Sequence, residues 1–454
     1  MKAYPSYSTN PQLWNETFPS HWKVLPMYAI GREKSISNCV DLPLLSVYLD
    51  AGVIPFAEKV ERRTNATSKD LSKYQRVDVG DFVLNNQQAW RGSVGVSFHN
   101  GIVSPAYIIV SLDNQLDSKF ANYLLRSRIM VDQYLINSKS VGSIQRNIYW
   151  PSLKRTRVII PPMAEQLQIV RFLDWKLSMV NRLINTKRKE VKAIDAMKRS
   201  MVSSAVTRGL EPDVPMKFSG VKWLGDIPAH WKVLPLVSIA KEKSICDCKE
   251  LQLMSVYLDE GVIPFLCKEE KRTNATSKDL SKYQRVDPGD FVLNNQQAWR
   301  GSVGVAFATG IVSPAYIVLS MSDILDPEYA NYLFRSRGMV DQYLIISRGV
   351  GSIQRNIYWS SLKRIAVPIP PKDEQREIIA NLKQAIQKMS GVISCLLEEV
   401  ATLEEYRKKL IADVVTGKID VRDVKIPEYE FVAEDVDSDS EGENDLDDIE
   451  EQED

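Results

Sequence analysis

The sequence predicts an α+β chain: two pseudo-two-fold-related mixed α/β domains separated by two long antiparallel helices that form a coiled coil. Three observations carry this. The chain has 454 residues, too many for one hydrophobic core. It repeats itself from about Trp14 to Thr207 at an offset of 209. Each copy ends in a long heptad run in place of the short elements that precede it.

The repeat comes first because it fixes the domain count. His21-Trp22 recurs as His230-Trp231, and SVYLD at Ser46 recurs at Ser255. Between Arg63 and Phe98 the copy starting at Arg272 differs only at Val79/Pro288 and Ser97/Ala306. Two long copies make two equivalent domains, whereas a solenoid needs several short repeats. The expected division is 1–161 (first domain), 162–208 (first helix), 209–370 (linker and second domain), 371–417 (second helix) and an acidic, disordered tail over 426–454.

Within each copy FVL at Phe82 and AYIIVSL at Ala106 read as strands bounded by Gly-Asp and Ser-Pro turns. One helix is expected next, because Phe120, Tyr123, Leu124, Met130, Val131, Tyr134 and Leu135 keep to one helical face. A last strand, TRVIIPP from Thr156, ends on two prolines. Pro162 suits the first turn of the following helix, and Glu165 complements its positive dipole end. Leu173, Leu177, Val180, Ile184, Lys187, Val191, Ile194, Lys198, Met201 and Ala205 then alternate in steps of four and three. Leu382, Ile386, Met389, Ile393, Leu396, Val400, Leu403, Arg407, Leu410 and Val414 repeat the seam. Each helix is about 65 Å long at 1.5 Å per residue, and its apolar stripe needs cover. The other helix is the nearest cover, and the connectivity makes the pair antiparallel.

Composition narrows the function. No run of eighteen apolar residues exists and the N-terminus lacks the basic start and apolar stretch of a signal peptide, so a cytoplasmic location is expected. The cysteines Cys39, Cys246, Cys248, Cys267 and Cys395 form no C-x-x-C pair and are expected to be reduced. Three histidines and no H-E-x-x-H leave little from which to build a metal site. Fifteen of the 58 carboxylates lie after Lys425 with no Lys or Arg among them. Residues 1–425 therefore set 58 cationic side chains against 43 acidic ones, a charge of +15 that suits a polyanionic partner.

The stretch GDFVLNNQQAWRGSVGV, from Gly80 and again from Gly289, is the strongest candidate for base contact. Asn85, Asn86, Gln87, Gln88 and Arg91, with Asn294, Asn295, Gln296, Gln297 and Arg300, concentrate side chains that make paired hydrogen bonds to base edges: Asn and Gln match adenine, and Arg matches guanine. Trp90 and Trp299 suit packing on a sugar or a displaced base, and Gly92 and Gly95 let a backbone approach. The competing arrangement is a buried amide ladder on an edge strand with a core tryptophan. Lys69, Lys73 and Arg76, like Lys278, Lys282 and Arg285, suit phosphate contacts or a solvated loop. VGSIQRNIYW presents Gln145, Arg146 and Asn147, and in the second copy Gln354, Arg355 and Asn356, either to DNA or as a brace.

Catalytic signatures are missing from the sequence. A base amino-methyltransferase needs Asn or Asp before Pro-Pro-aromatic and a Gly-rich turn for its methyl donor. Pro161-Pro162 and Pro370-Pro371 follow Ile and precede Met or Lys, and no G-x-x-x-x-G-K loop occurs. No catalytic residue, metal ligand or cofactor of this chain's own is therefore assigned. The rivals to a DNA-binding subunit are a self-contained DNA methyltransferase and a coiled-coil scaffold that does not touch DNA.

WLGDIPAHWKVLPL from Trp223, GDFVL and GIVSPAYI in both copies, the G-S-x-Q-x-N-I turn, P-P-x-x-E-Q at Pro161 and Pro370, and EEYRKKLIADVVTGKIDVR from Glu404 carry a family likeness. On these motifs the chain resembles the specificity subunits of type I restriction-modification systems over its whole length before the tail. The resemblance implies two target recognition domains on double-stranded DNA, two methyltransferase subunits and two restriction-translocase subunits. It implies adenine methylation within a split target, with S-adenosylmethionine, ATP and magnesium used by the partners. Near-identical domains related by a two-fold axis read the same bases on opposite strands, so a split palindrome is expected. Entry into the major groove from one face places the half-sites about 10 base pairs apart, centre to centre.

Overall fold

The computed structural model describes residues 2–9, 17–49, 51–57, 70–141, 145–258, 260–265, 279–350 and 354–433. Two compact units emerge, residues 1–189 with 397–454 and residues 190–396. Each long helix is divided between the two units, so the units cut across the expected domain-and-helix division.

In the first unit a four-stranded antiparallel sheet runs in the order Gly31–Lys34, Tyr107–Leu112, Asp81–Asn85, Val94–Val96. Side chains alternate across a strand, and here both faces are covered. Phe82, Leu84, Val94, Val96 and Val110 join the main core with the helices Ser118–Leu125 and Arg128–Asn137. Val83 and Ile109 on the other face pack with Leu45, Val47, Val53, Val77 and Val103. The second unit repeats this with Phe291, Leu293, Val303 and Val305 against its helices and Val292 and Val318 against Met254, Val256 and Val262.

The helix expected over Phe120–Leu135 is two helices, broken at Arg126-Ser127. Ser127 is extended, and the buried Tyr134 hydroxyl donates to the Leu125 carbonyl at 2.9 Å, satisfying a group the break would leave bare. Periodicity survives the break because Phe120, Leu124, Met130 and Tyr134 all point into one core.

The long helices span Met163–Arg208 and Lys372–Val415. All twenty seam positions are buried or half-buried. Within the first unit Phe172, Leu173 and Leu177 share a core with Leu410 and Val414, while Val180 and Ile184 meet Val400 and Leu403. Position rises along one helix as it falls along the other, so the packing there is antiparallel. Lys187, itself a seam position, pairs with Glu399 at 2.7 Å, and its neighbour Arg188 pairs with Glu404 at 2.8 Å. In the second unit Met201, Val202, Ala205 and Val206 share a core with Ile378, Ile379, Leu382 and Ile386.

The disorder expected from residue 426 does not hold for its first part. Ile426 packs on the first unit's core, and Val432 bonds to the first long helix through Ser178 and Asn181. Residues 434–454 lie outside the described residues. Among the described residues no helix is long and apolar enough to cross a membrane, and no three His, Cys, Asp or Glu side chains gather to hold a metal ion.

Candidate nucleic-acid interface

The loop after strand Asp81–Asn85 is built by its own side chains. Asn85 Oδ1 accepts from the Gln87 backbone N–H at 3.0 Å, closing an Asx turn, and Asn294 does the same for Gln296 at 3.1 Å. One turn of 3-10 helix, Ala89–Arg91, follows and buries Ala89. The half-buried Trp90 indole donates to the Gln87 carbonyl at 2.8 Å, and Trp299 to Gln296 at 2.9 Å. Each indole is locked by the loop it follows. The guanidinium of Arg91 lies 4.8 Å from the Trp90 ring centroid, and that of Arg300 4.7 Å from Trp299. Stacking on a fixed ring holds each exposed arginine ready without neutralising it.

Gly92 sits at φ 108, a left-handed conformation that ends the turn. Gly95 serves packing instead of a ligand: a Cβ there would meet Gly52 Cα at 3.1 Å, and one at Gly304 would meet Gly261 Cα at 3.0 Å. The close approach assigned to it is therefore between two strands of the same unit.

The Asn86 carbonyl accepts from Ile148 N–H at 2.9 Å, and Asn295 from Ile357 at 3.0 Å, which draws the strand Gln145–Asn147 or Gln354–Asn356 beside the loop. Asn86 Oδ1 and Asn147 Oδ1 are buried with no hydrogen-bond partner, and so are Asn295 Oδ1 and Asn356 Oδ1. Arg146 and Arg355 reach Ser138 and Ser347 at 3.5 and 3.2 Å. Tyr149 and Tyr358, 47% and 48% exposed, stand at the end of this segment and were not among the residues singled out in the sequence, where the segment read equally as a contact or a brace.

The phosphate candidates divide. Lys73 and Lys282 are exposed. Arg76 pairs with Asp78 at 2.9 Å and Arg285 with Asp287 at 2.9 Å, so a phosphate must compete with a carboxylate there. The Lys34 ammonium, with burial opposing it and Arg76 assisting, holds Asp78 below the usual carboxylate range. Lys69 and Lys278 lie outside the described residues, as do the side chains of Gln145 and Gln354. Gln87 and Gln297 are exposed, while Gln88, Gln296, Asn85 and Asn294 are half-buried.

The P-P-x-x-E-Q motif forms a clamp away from this loop. Glu165 accepts from Trp22 Nε1 at 2.9 Å and the Tyr4 hydroxyl at 3.3 Å, and it meets His21 Nε2 at 2.6 Å. Gln166, fully buried, donates to the carbonyls of Gln115 (2.8 Å) and Pro161 (2.9 Å) and accepts from Asp117 N–H at 2.9 Å. Asp117 in turn caps the helix Ser118–Leu125. Glu374 and Gln375 repeat the clamp on Trp231, His230, Ile324, Pro370 and Asp326.

A repeated α+β domain with an exposed arginine stacked beside an amide-rich loop, clamped to the start of a long helix, defines a modular recognition protein. The sequence model for the type I restriction modification DNA specificity domain matches residues 37–193 and again 228–399, and the chain belongs to that family. A Methanocaldococcus jannaschii protein described as "Putative type I restriction enzyme MjaX specificity subunit" is 24% identical over 367 residues, 78% of this chain and 81% of that protein. The type I restriction enzyme MjaVIII specificity subunit of the same organism is 22% identical over 382 residues, 78% and 84% of the two chains. A solved structure from work on assembly and conformational transition of the type I R-M system superposes with a TM-score of 0.61 at 15% identity, covering 88% of this chain and 99% of that one. At that identity the likeness is one of fold.

Proposed function

We propose that the chain is the DNA-recognition subunit of a type I restriction-modification complex and carries no chemistry of its own. It directs adenine methylation by two methyltransferase subunits and cleavage by two restriction-translocase subunits. S-adenosylmethionine, ATP and magnesium act in those partners. The observation that supports this best is the repeated pair Trp90–Arg91 and Trp299–Arg300, a cation held on a fixed indole beside one exposed amide in each unit, Gln87 or Gln297. Near-identical loops read near-identical bases, so the target is a split palindrome: a short half-site, an unread gap and the reverse complement. Mapping methylated adenines in DNA from cells that express the full complex tests this. One palindromic bipartite motif is expected; two unrelated half-sites would show that residues outside the shared block set specificity.

A further inference from the structure

The first unit holds a cavity that neither the amide loop nor the clamp uses. It opens between the end of the helix Arg128–Asn137 and the paired strands Lys23–Pro26 and Arg157–Ile160, and its volume is about 520 Å³. Backbone bonds fix the frame: Met27 N–H donates to the Thr156 carbonyl at 2.9 Å, and Tyr28 N–H to the Lys154 carbonyl at 3.0 Å. Asn137 Nδ2 donates to the Gln133 carbonyl at 2.9 Å and to Thr156 Oγ1 at 3.3 Å, which ties the helix end to the start of the strand. Tyr28, Gln133, Arg155 and Arg157 also line the space.

The lining has the chemistry of an anion site. No lining side chain is a carboxylate, and among the described residues neither Arg155 nor Arg157 has an acidic partner. Paired guanidiniums match a phosphate through parallel N–H donors. Gln133 is only 7% exposed, and among the described residues its side-chain amide has no hydrogen-bond partner. A buried amide is ordinarily paired, so this one has room for a ligand. Its adjacent donor and acceptor match the edge of a base, adenine above all. Tyr28, 59% exposed, adds an aromatic wall, and a cavity of this size holds a small organic molecule.

The second unit keeps the frame and loses the lining. Leu236 N–H donates to the Ile365 carbonyl at 2.8 Å and Val237 N–H to the Lys363 carbonyl at 3.0 Å, as their counterparts do. Yet Tyr28, Asn137, Thr156 and Arg157 are replaced by Val237, Ile346, Ile365 and Ala366, and both isoleucines pack with the second unit's core. A contact with the DNA backbone serves both copies of a repeated domain and would be kept in both, as the amide loop is. A polar lining present in one copy alone fits a ligand bound once per chain.

We propose that this cavity binds one nucleoside phosphate per chain, with the phosphate on Arg155 and Arg157 and the base edge on Gln133. Calorimetric titration of the full chain with adenosine monophosphate, and separately with inorganic phosphate, tests it. One nucleotide per chain is expected, with phosphate alone binding more weakly. Arg155→Ala, an exposed position, and Gln133→Leu should each weaken the nucleotide by about tenfold. Arg364→Ala, at the counterpart of Arg155 in the second unit, should leave it unchanged. Absence of nucleotide binding, two nucleotides per chain, or equal loss with Arg364→Ala overturns the proposal. Inorganic phosphate held as tightly as the nucleotide overturns the base contact and leaves a plain anion hole. Nucleotide binding untouched by Arg155→Ala, with DNA binding lowered instead, overturns it in favour of a backbone contact.

Discussion

The amide loop and the helix-start clamp are equally prominent in the sequence, since both recur with little change at an offset of 209. In the structure they are opposites. The clamp is saturated: Glu165 and Gln166 engage six groups between them, and Gln166 is fully buried. The loop is only partly saturated: Asn85 and Trp90 bond within it, but Arg91 is exposed on an indole, and Asn86, like Asn147 on the adjoining strand, keeps a buried amide oxygen without a partner. Buried polar groups in folded proteins are ordinarily paired. A motif whose polar atoms are all bonded within the chain is holding it together, whereas the arginine at the end of the loop keeps its charge at the surface.

Breaking the clamp should have the largest effect. Gln166→Ala removes one side chain but strands two carbonyls and the Asp117 N–H, and should destabilise the first unit by about 3 kcal/mol. Chemical denaturation reads this; unchanged stability with lost DNA binding would make the clamp a contact surface. Arg91→Ala or Arg300→Ala should cost about 1 to 3 kcal/mol in specific binding while leaving the denaturation midpoint in place. Equal loss on target and random DNA would end the base-reading assignment. Lys73→Ala should weaken binding to all sequences alike and reduce the salt slope by about one; a change confined to the target would place Lys73 at a base edge.

The smallest expected effect tests the carboxylate that restrains Arg76. Asp78 titrates below its ordinary value of 3.8 because Lys34 hydrogen-bonds the charged form. A depressed folded pKa contributes stability that is present in full above the unfolded value and lost as pH falls through the folded one. The full chain should therefore lose part of its stability on acidification below about pH 4, and Asp78→Asn should lose less over the same range. Identical acid profiles would show that the pairing of Asp78 adds nothing.

Much of the architecture was legible. The heptad seam needed only the spacing of Leu173 to Ala205 and Leu382 to Val414, because a helix repeats its face locally and every one of those positions is covered. The amide loop was legible as a cluster but not as a division of labour. Asn85 and Arg91 stand six positions apart, and only the turn geometry shows that the first closes a turn while the second faces outward. Gly95 likewise gave no sign that its neighbour would be Gly52.

The sequence by itself determined the two-fold repeat, the long helices and the charge asymmetry, all of which are properties of neighbouring residues or of a sum over them. Tertiary structure decided which polar residues are bound within the chain. His21 meets Glu165 across 144 residues, and Gln168 holds Val421 across 253. Partners so distant leave no local periodicity; their pairing exists only once the core has brought the segments together.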